Sequence, residues 1–317
     1  MKKTLLKTLK LMIVLFPSIS FANNEFLDNF TAEKITENVY VIHGPTADPI
    51  ADNQGFINNP SFVIVNEGVV VIDPGSSLAI GQMVLKNIKQ LSQLPVIAIF
   101  NTHEHGDHWL GNHAIVDAYP DIPIYAHSKM IESLNNGAGT NWLSLMNRLT
   151  KNATKGTQIK VPTHPVKNGD EIVLGDHTFK IHHNNISHTH NDIMIEVVES
   201  QTVFLGDNAF LNRLPRLDEG DVVGNIDALR SILKTSSKFY VPGHGPSGDS
   251  SVVNLYLEYL NTLYDSVKYY YEEDLSDFEM KNQVATKMKK FSEWYGFETE
   301  LGKNISLVFL QIESADF

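Results

Sequence analysis

Pro95-Val96-Ile97-Ala98-Ile99-Phe100-Asn101-Thr102-His103-Glu104-His105-Gly106-Asp107-His108 decides how this chain folds. Pro95 to Phe100 is an unbroken apolar run, the pattern of a strand buried on both faces. Asn101 to Asp107 is then a polar loop rooted in that strand, where a loop can turn successive side chains to one point. His103 and His105, two apart, can grip one metal ion, and Asp107 and His108 can face a second position beside it. Gly106 lets the backbone turn without a Cβ clash. Imidazole is a common metal ligand, and a cluster of it directly after a buried strand points to ligation rather than to a solvated loop.

Working outward, strand and helix signals alternate. Val39 to Ile42 has the pattern of a short strand. Ser61–Val65 and Val69–Ile72 form a hairpin around Asn66-Glu67-Gly68. Ser76 or Ser77 caps a helix running to about Leu91, with Leu78, Met83, Leu85 and Ile88 on its buried face. Helix is expected from Trp109 onward and a strand over Ile122–Ala126. Lys151 to Lys167 lacks periodicity and is expected to be loop. Further strands are expected at Glu171–Leu174, Thr178–His182, Ile193–Val198, Thr202–Leu205 and Phe239–Val241, and a helix at Ile226–Leu233. Beyond Ser250 only helical spacing remains, at 251–272, 277–291 and 301–313. Two packed sheets with helices outside them account for this order.

Three more polar stretches lie at predicted strand ends: Ser187-His188-Thr189-His190-Asn191-Asp192, Leu205-Gly206-Asp207, and Pro242-Gly243-His244-Gly245. Each alone is a weak signal. Together with Asp73 in Val-Ile-Asp-Pro-Gly and the H-x-H-x-D-H stretch, they resemble the metallo-β-lactamase superfamily from Val39 to about Pro246. The resemblance implies an α/β fold, the four-layer αββα sandwich with a metal site at one edge of the sheets. Here it is followed by a C-terminal helical extension. It implies a catalytic unit over 23–250, with helices 251–317 packed on it. It also implies that His103, His105 and His188 hold one metal and Asp107, His108 and His244 a second. Asp207 is then the bridge and Asp73 a buried carboxylate behind the ligands. His188 is preferred to His190 because it precedes Thr in the family's His-Thr pattern, which leaves His190 at the pocket edge. Gly55 to Pro60 and Trp294 to Glu313 resemble a branch of exported metallohydrolases found near quinoprotein systems.

The nitrogen and oxygen donors suit Zn²⁺ and also Mn²⁺ or Fe, with two zinc ions per chain the expectation for an exported protein. Two such ions about 3.5–4 Å apart hold a water between them and lower its pKa to about 7, so hydroxide is present at neutral pH. The implied activity is hydrolysis of a small ester, thioester, amide or lactam, with Asp107 orienting the nucleophile and taking a proton. Asp207 as bridge is more like the glyoxalase II-type hydrolases than the true lactamases. Lactam hydrolysis and a metal-binding periplasmic accessory role without turnover are the competing readings. Arg148, Arg213 and Arg216 are candidates to meet an anionic substrate, and Asp48–Pro60 and Leu134–Lys155 are the expected pocket walls. His43, His113, His127, His164, His177, His182 and His183 are expected to be surface or satisfied polar groups.

Composition sets the remaining limits. The chain has 317 residues, 42% of them hydrophobic and 20% charged, which suits a folded protein with a core. It has no cysteine, so disulfides, thiolate nucleophiles, cysteine-ligated metals and lipid-acceptor thiols are all excluded. Lys2, Lys3, Lys7 and Lys10, the apolar run Leu11–Phe16 and Ser20-Phe21-Ala22 form a secretory leader cut after Ala22. The apolar run is too short to serve as a membrane anchor. Periplasmic or secreted location follows, with no stable anchor after cleavage. The formal charge of −12 becomes four units more negative once those lysines leave. That field disfavours nucleic acid and anionic membranes but says little about substrate, and it is the family resemblance that implies a small-molecule partner. Intact-mass measurement of protein recovered from the periplasm or medium is expected to place the first residue at Asn23; a retained leader would contradict the reading.

Overall fold

The computed structural model describes residues 25–315. The predicted leader lies outside them. The first sheet has seven strands in chain order: Glu33–Lys34 (β1), Val39–Val41 (β2), Ser61–Val65 (β3), Gly68–Ile72 (β4), Val96–Phe100 (β5), Ile124–His127 (β6) and His164–Val166 (β7). The hairpin at Asn66-Glu67 makes β3–β4 antiparallel, whereas β4 to β7 run parallel because helices cross between them. The second sheet comprises Glu171–Leu174 (β8), His177–His182 (β9), Met194–Val197 (β10), Thr202–Phe210 (β11) and Phe239–His244 (β12), in the order β12-β11-β10-β9-β8.

The sheets face each other across one apolar layer, with Val70, Ile72 and Phe100 from the first meeting Phe179, Ile195 and Phe204 from the second. Phe100 is fully buried there, stacked between Tyr125 at 4.8 Å and Phe179 at 5.3 Å. The outer face of the first sheet is covered by Leu78–Leu91 (α1), Gly106–Trp109 (α2) and Asn112–Ala118 (α3). Ser77 caps α1 by accepting from the Ile80 amide. The helix buries Ile80, Met83, Val84, Leu85 and Ile88, while Leu78 of the predicted face is only half-buried.

Ser128–Ser133 (α4) and Gly139–Leu149 (α5) stand beside the sheet edge, separated by a wide turn in which Gly137 takes φ 112°. The other sheet's outer face is covered by Val222–Ile232 (α6), Ser251–Glu272 (α7), Asp277–Lys287 (α8) and Phe297–Ala315 (α9). Ser276 and Glu279 start α8 with a capping box. The layers are therefore α, β, β, α, and the last three helices share one core with α6 and β11. Among the described residues no helix is long and apolar enough to cross a membrane.

Two expectations need correction, and one wall gains a definite structure. The stretch Lys151–Lys167 contains β7, a three-residue edge strand whose central Pro165 hides it from any alternation pattern. The wall segment from Leu134 is largely helix, because the Asn135-Asn136-Gly137 turn interrupts an apolar period that resumes in α5. β11 runs past Leu205 to Phe210, so Asp207 lies inside a strand at a register irregularity rather than after its end. Replacing Phe100 by Ala is expected to cost about 3–5 kcal/mol in denaturant unfolding, since both stacked rings lose their partner; a loss below ~1 kcal/mol would contradict this packing.

Candidate metal centre

Asp73 sits at the end of β4 in a left-handed conformation, φ 48°. Its amide donates to Phe100 O at 3.0 Å, which ties it to the neighbouring strand end. Its carboxylate accepts from the Thr102 amide at 2.8 Å, Thr102 Oγ1 at 2.6 Å and His108 Nδ1 at 2.8 Å. With its hydroxyl proton given to Asp73, Thr102 Oγ1 accepts from His103 Nδ1 at 3.0 Å. His244 Nδ1 donates to Ile57 O at 2.8 Å. In these three rings Nδ1–H is directed away from the centre, so the Nε2 lone pair faces it.

Those lone pairs converge on Asp207. Its Oδ2 is 3.7 Å from His103 Nε2 and 3.5 Å from His188 Nε2. Its Oδ1 is 3.1 Å from His108 Nε2 and 3.4 Å from His244 Nε2. Asp107 Oδ2 is 3.4 Å from both of the latter nitrogens. His188 Nε2 lies 3.1 Å from His105 Nδ1. Two groups result: His103, His105, His188 and Asp207, and Asp107, His108 and His244. In each, the donor atoms lie within 4.8 Å of one another. His190, with a 45% exposed side chain 3.9 Å from Glu104, belongs to neither.

Backbone packing forces this placement. Gly206 takes φ 53° against Thr102, and a Cβ there would press on that side chain. Gly243 on β12 lies so close to Asp207 that a Cβ would collide with Oδ1. The His244 ring is backed by Phe210, stacked at 5.3 Å and nearly parallel.

The electrostatics suit the binding of positive charge. Burial, reinforced by His108, holds His103 well below the usual imidazole range. Burial takes His188 down to about 3. Burial pushes Asp107 and Asp207 up, but the surrounding imidazoles outweigh it and hold both carboxyls well below their usual range. Burial pulls His108 down, and Asp207, Asp107 and Asp73 more than reverse that. His103 Nε2, His108 Nε2 and Asp207 Oδ1 are buried with no hydrogen-bond partner. Buried acceptors without donors are costly, and a cation would satisfy all three. The donor set therefore fits metal ions.

Four polar residues act here that sequence reading did not single out. Asn191 Nδ2 donates to Glu104 Oε1 at 3.0 Å, and the Glu104 amide donates back to Asn191 Oδ1 at 3.2 Å, joining the two histidine loops. Glu104 also accepts from Ser133 Oγ. Asp192, pushed up by burial to about 6, accepts from the Thr189 amide and from Ser187 Oγ, fixing the loop around His188. Glu219 accepts from His105 Nε2 at 3.3 Å. The only sequence signal for Asn191 and Asp192 was a polar pair abutting an apolar strand.

An open cleft leads to Asp107, Asp207 and His244. Asp48, Pro49 and Ile57 form one wall and Trp142, Leu145, Met146 and Leu149 another, in the two segments anticipated as walls. Arg213, Arg216 and Glu219 form a third, whereas Arg148 is exposed and off the lining. The seven other histidines have partners elsewhere, among them His43 with Ser247, His113 with Asp117, His182 with Glu196 and His127 stacked on His183.

The metallo-β-lactamase superfamily profile matches residues 54–244, from the Asp48–Pro60 wall to the last histidine of the centre. The chain belongs to the metallo-β-lactamase superfamily. It is 26% identical over 199 residues to a probable metallo-hydrolase of Streptococcus pyogenes serotype M6, spanning 60% of this chain and 79% of that protein. It is 27% identical over 166 residues to a hydroxyacylglutathione hydrolase of Gloeobacter violaceus, spanning 51% of this chain and 54% of that protein. The chain thus spans about half the length of that relative. In fold it is similar to a metallo-β-lactamase from Pontibacter korlensis, with TM-score 0.59, 18% identity, and coverage of 73% of this chain and 99% of that one. The metallo-β-lactamase IND-7 gives TM-score 0.57 at 21% identity over 74% and 98% of the two chains. The fold is the one the sequence implies, and the protein is a metallo-hydrolase of this superfamily.

Asp73→Asn keeps the volume but spoils the acceptor set for Thr102 and His108. It is expected to weaken cation binding about 10–100-fold in a chelator-competition titration; unchanged affinity would show that Asp73 does not orient the centre. Gly243→Ala, which displaces Asp207 Oδ1, is expected to weaken binding in the same assay.

Proposed function

We propose that this metallo-hydrolase is an exported enzyme that uses two zinc ions to cleave a small acyl compound, with thioesters the leading substrate class. The carrying observation is Asp207, whose two oxygens face separate donor clusters. His103, His105 and His188 would hold one ion, and Asp107, His108 and His244 the other. Bound there, the ions supply Lewis acidity and a water of lowered pKa. Water adds to the acyl carbon, the C–S bond breaks, and a carboxylic acid and a thiol leave.

The chain's own residues do the positioning. Asp107 lines the cleft and stays ionised among His108 and His244, so it can orient the attacking water and receive its proton. Apolar side chains of α5 exclude bulk water from the acyl group, and Arg213 and Arg216 offer positive charge to an anionic substituent. Relatives named hydroxyacylglutathione hydrolases support a thioester over a lactam, and a carboxylate set between both donor clusters, with no cysteine in the chain, supports the same choice. The lysine-rich leader supports export.

The test is a screen of chromogenic thioesters, lactones, lactams and phosphodiesters, with and without chelator. Chelator-sensitive thioester hydrolysis is expected. His105→Ala is expected to lose both metal and hydrolysis, and Asp107→Asn to lower kcat by roughly 10²–10⁴-fold. Full turnover by a metal-free preparation would defeat the proposal.

A further inference from the structure

The family match ends at residue 244, yet the segment beyond it holds in place residues that line the cleft. The loop carrying Arg213, Arg216 and Glu219 is fastened from behind by the C-terminal helices. The Leu214 amide donates to Tyr295 O at 2.9 Å, and the Tyr295 amide donates to Asn212 O at 2.8 Å. Asn304, buried in α9, donates to Pro215 O at 3.1 Å. Gln311 donates to Gly220 O at 2.9 Å and accepts from the Val222 amide at 3.1 Å. An aromatic stack continues the link, from His244 through Phe210, Tyr256 and Tyr259 to Trp294.

Tyr295 carries this framework to the cleft mouth. Its hydroxyl donates to Asp48 Oδ2 at 3.1 Å, and its ring lies beneath the Arg213 guanidinium at 6.0 Å. Arg213, itself 8% exposed, donates from Nη1 to Ala47 O at 3.2 Å. Two walls of the cleft, the Asp48 loop and the Arg213 loop, therefore meet directly, where Arg213 reaches Ala47 O and lies 3.9 Å from Asp48 Oδ1, and Tyr295 braces that meeting by touching both Asp48 and Arg213. The Asp48 loop is knitted internally by Asn53, whose side chain accepts from the Ile50 and Gly55 amides and donates to Asp48 O. Such a loop moves as a unit unless its outer end is tied, and Asp48 and Ala47 are at that end.

We propose that the C-terminal segment shapes the substrate site from behind: Tyr295 is a positioning residue that braces the Asp48 loop against Arg213 and so sets the width of the cleft mouth. It touches no donor atom of the metal centre, so its loss loosens substrate binding and leaves the chemistry intact. The kinetic half of this inference rests on the hydrolase reading above; the structural half does not.

The experiment compares the full-length native protein with Tyr295→Phe, which removes only the bond to Asp48, and Tyr295→Ala, which removes the ring as well. Leu310→Ala, an exposed α9 position, serves as control. Amide hydrogen exchange of residues 47–54 is followed with cation content and with KM and kcat on the thioester turned over fastest in the screen. Both tyrosine variants are expected to exchange faster in 47–54 at native cation content. KM is expected to rise about tenfold in Tyr295→Ala and less in Tyr295→Phe, as loss of one charge-assisted contact predicts, with kcat near native. Unchanged exchange in Tyr295→Ala would overturn the clamp, as would a fall in kcat and cation content at constant KM. If the native protein hydrolyses no thioester, the functional reading fails, and hydrogen exchange alone decides the clamp.

Discussion

The centre depends on the direction in which imidazole lone pairs are pinned. Asp73, Thr102 and Ile57 O take the Nδ1 protons of His108, His103 and His244, so each Nε2 is turned towards Asp207. Without those acceptors the rings would be free to rotate and the buried nitrogens to seek other partners. The remaining polar network serves the same end. Asp192 and Asn191 shape the loop that brings His188 to the first cluster. Gly243 lacks the Cβ that would keep β12 from closing on Asp207, and Gly206 lacks the one that would press on Thr102.

This arrangement explains why the αββα architecture suits such a site. Strand ends from both sheets deliver side chains to one edge of a rigid double layer. β4 and β5 lie side by side in the first sheet, which sets Asp73 against Thr102. β11 and β12 lie side by side in the second, which sets Asp207 beside His244. The packed layer between the sheets then fixes one pair relative to the other. Loops alone would lose several kcal/mol of ordering entropy to hold seven donors in register. Here most of the ordering is supplied by sheets that the apolar core already requires.

Much of this was legible in the sequence because the signals were local. An apolar strand followed by His-x-His-x-Asp-His marks its own position, and Asn66-Glu67 marks its own hairpin. The Ser77 cap of α1 and the long α7 period were equally visible. What stayed hidden depended on tertiary pairing. β7 exists only because β6 offers it an edge, and its proline carries no strand signal. Asp207 could be named but not placed within a strand, since the irregularity that admits it arises from pairing with β12. Glu104 and Asn191 are ordinary polar residues until the fold pairs them, and so is Glu219 until it meets His105. Tyr295 is the extreme case, because its partners Asp48 and Arg213 are distant in the chain and reveal nothing of each other in sequence.

The central claim is that Asp207 joins two cation positions into one centre. Its most direct test is elemental analysis of chelator-stripped protein reloaded with zinc, comparing the native chain with Asp207→Ala after confirming by circular dichroism that both are folded. The account predicts two equivalents in the native protein, falling to one or fewer in the variant. Two tightly held equivalents in Asp207→Ala, or none in the native protein, would contradict it.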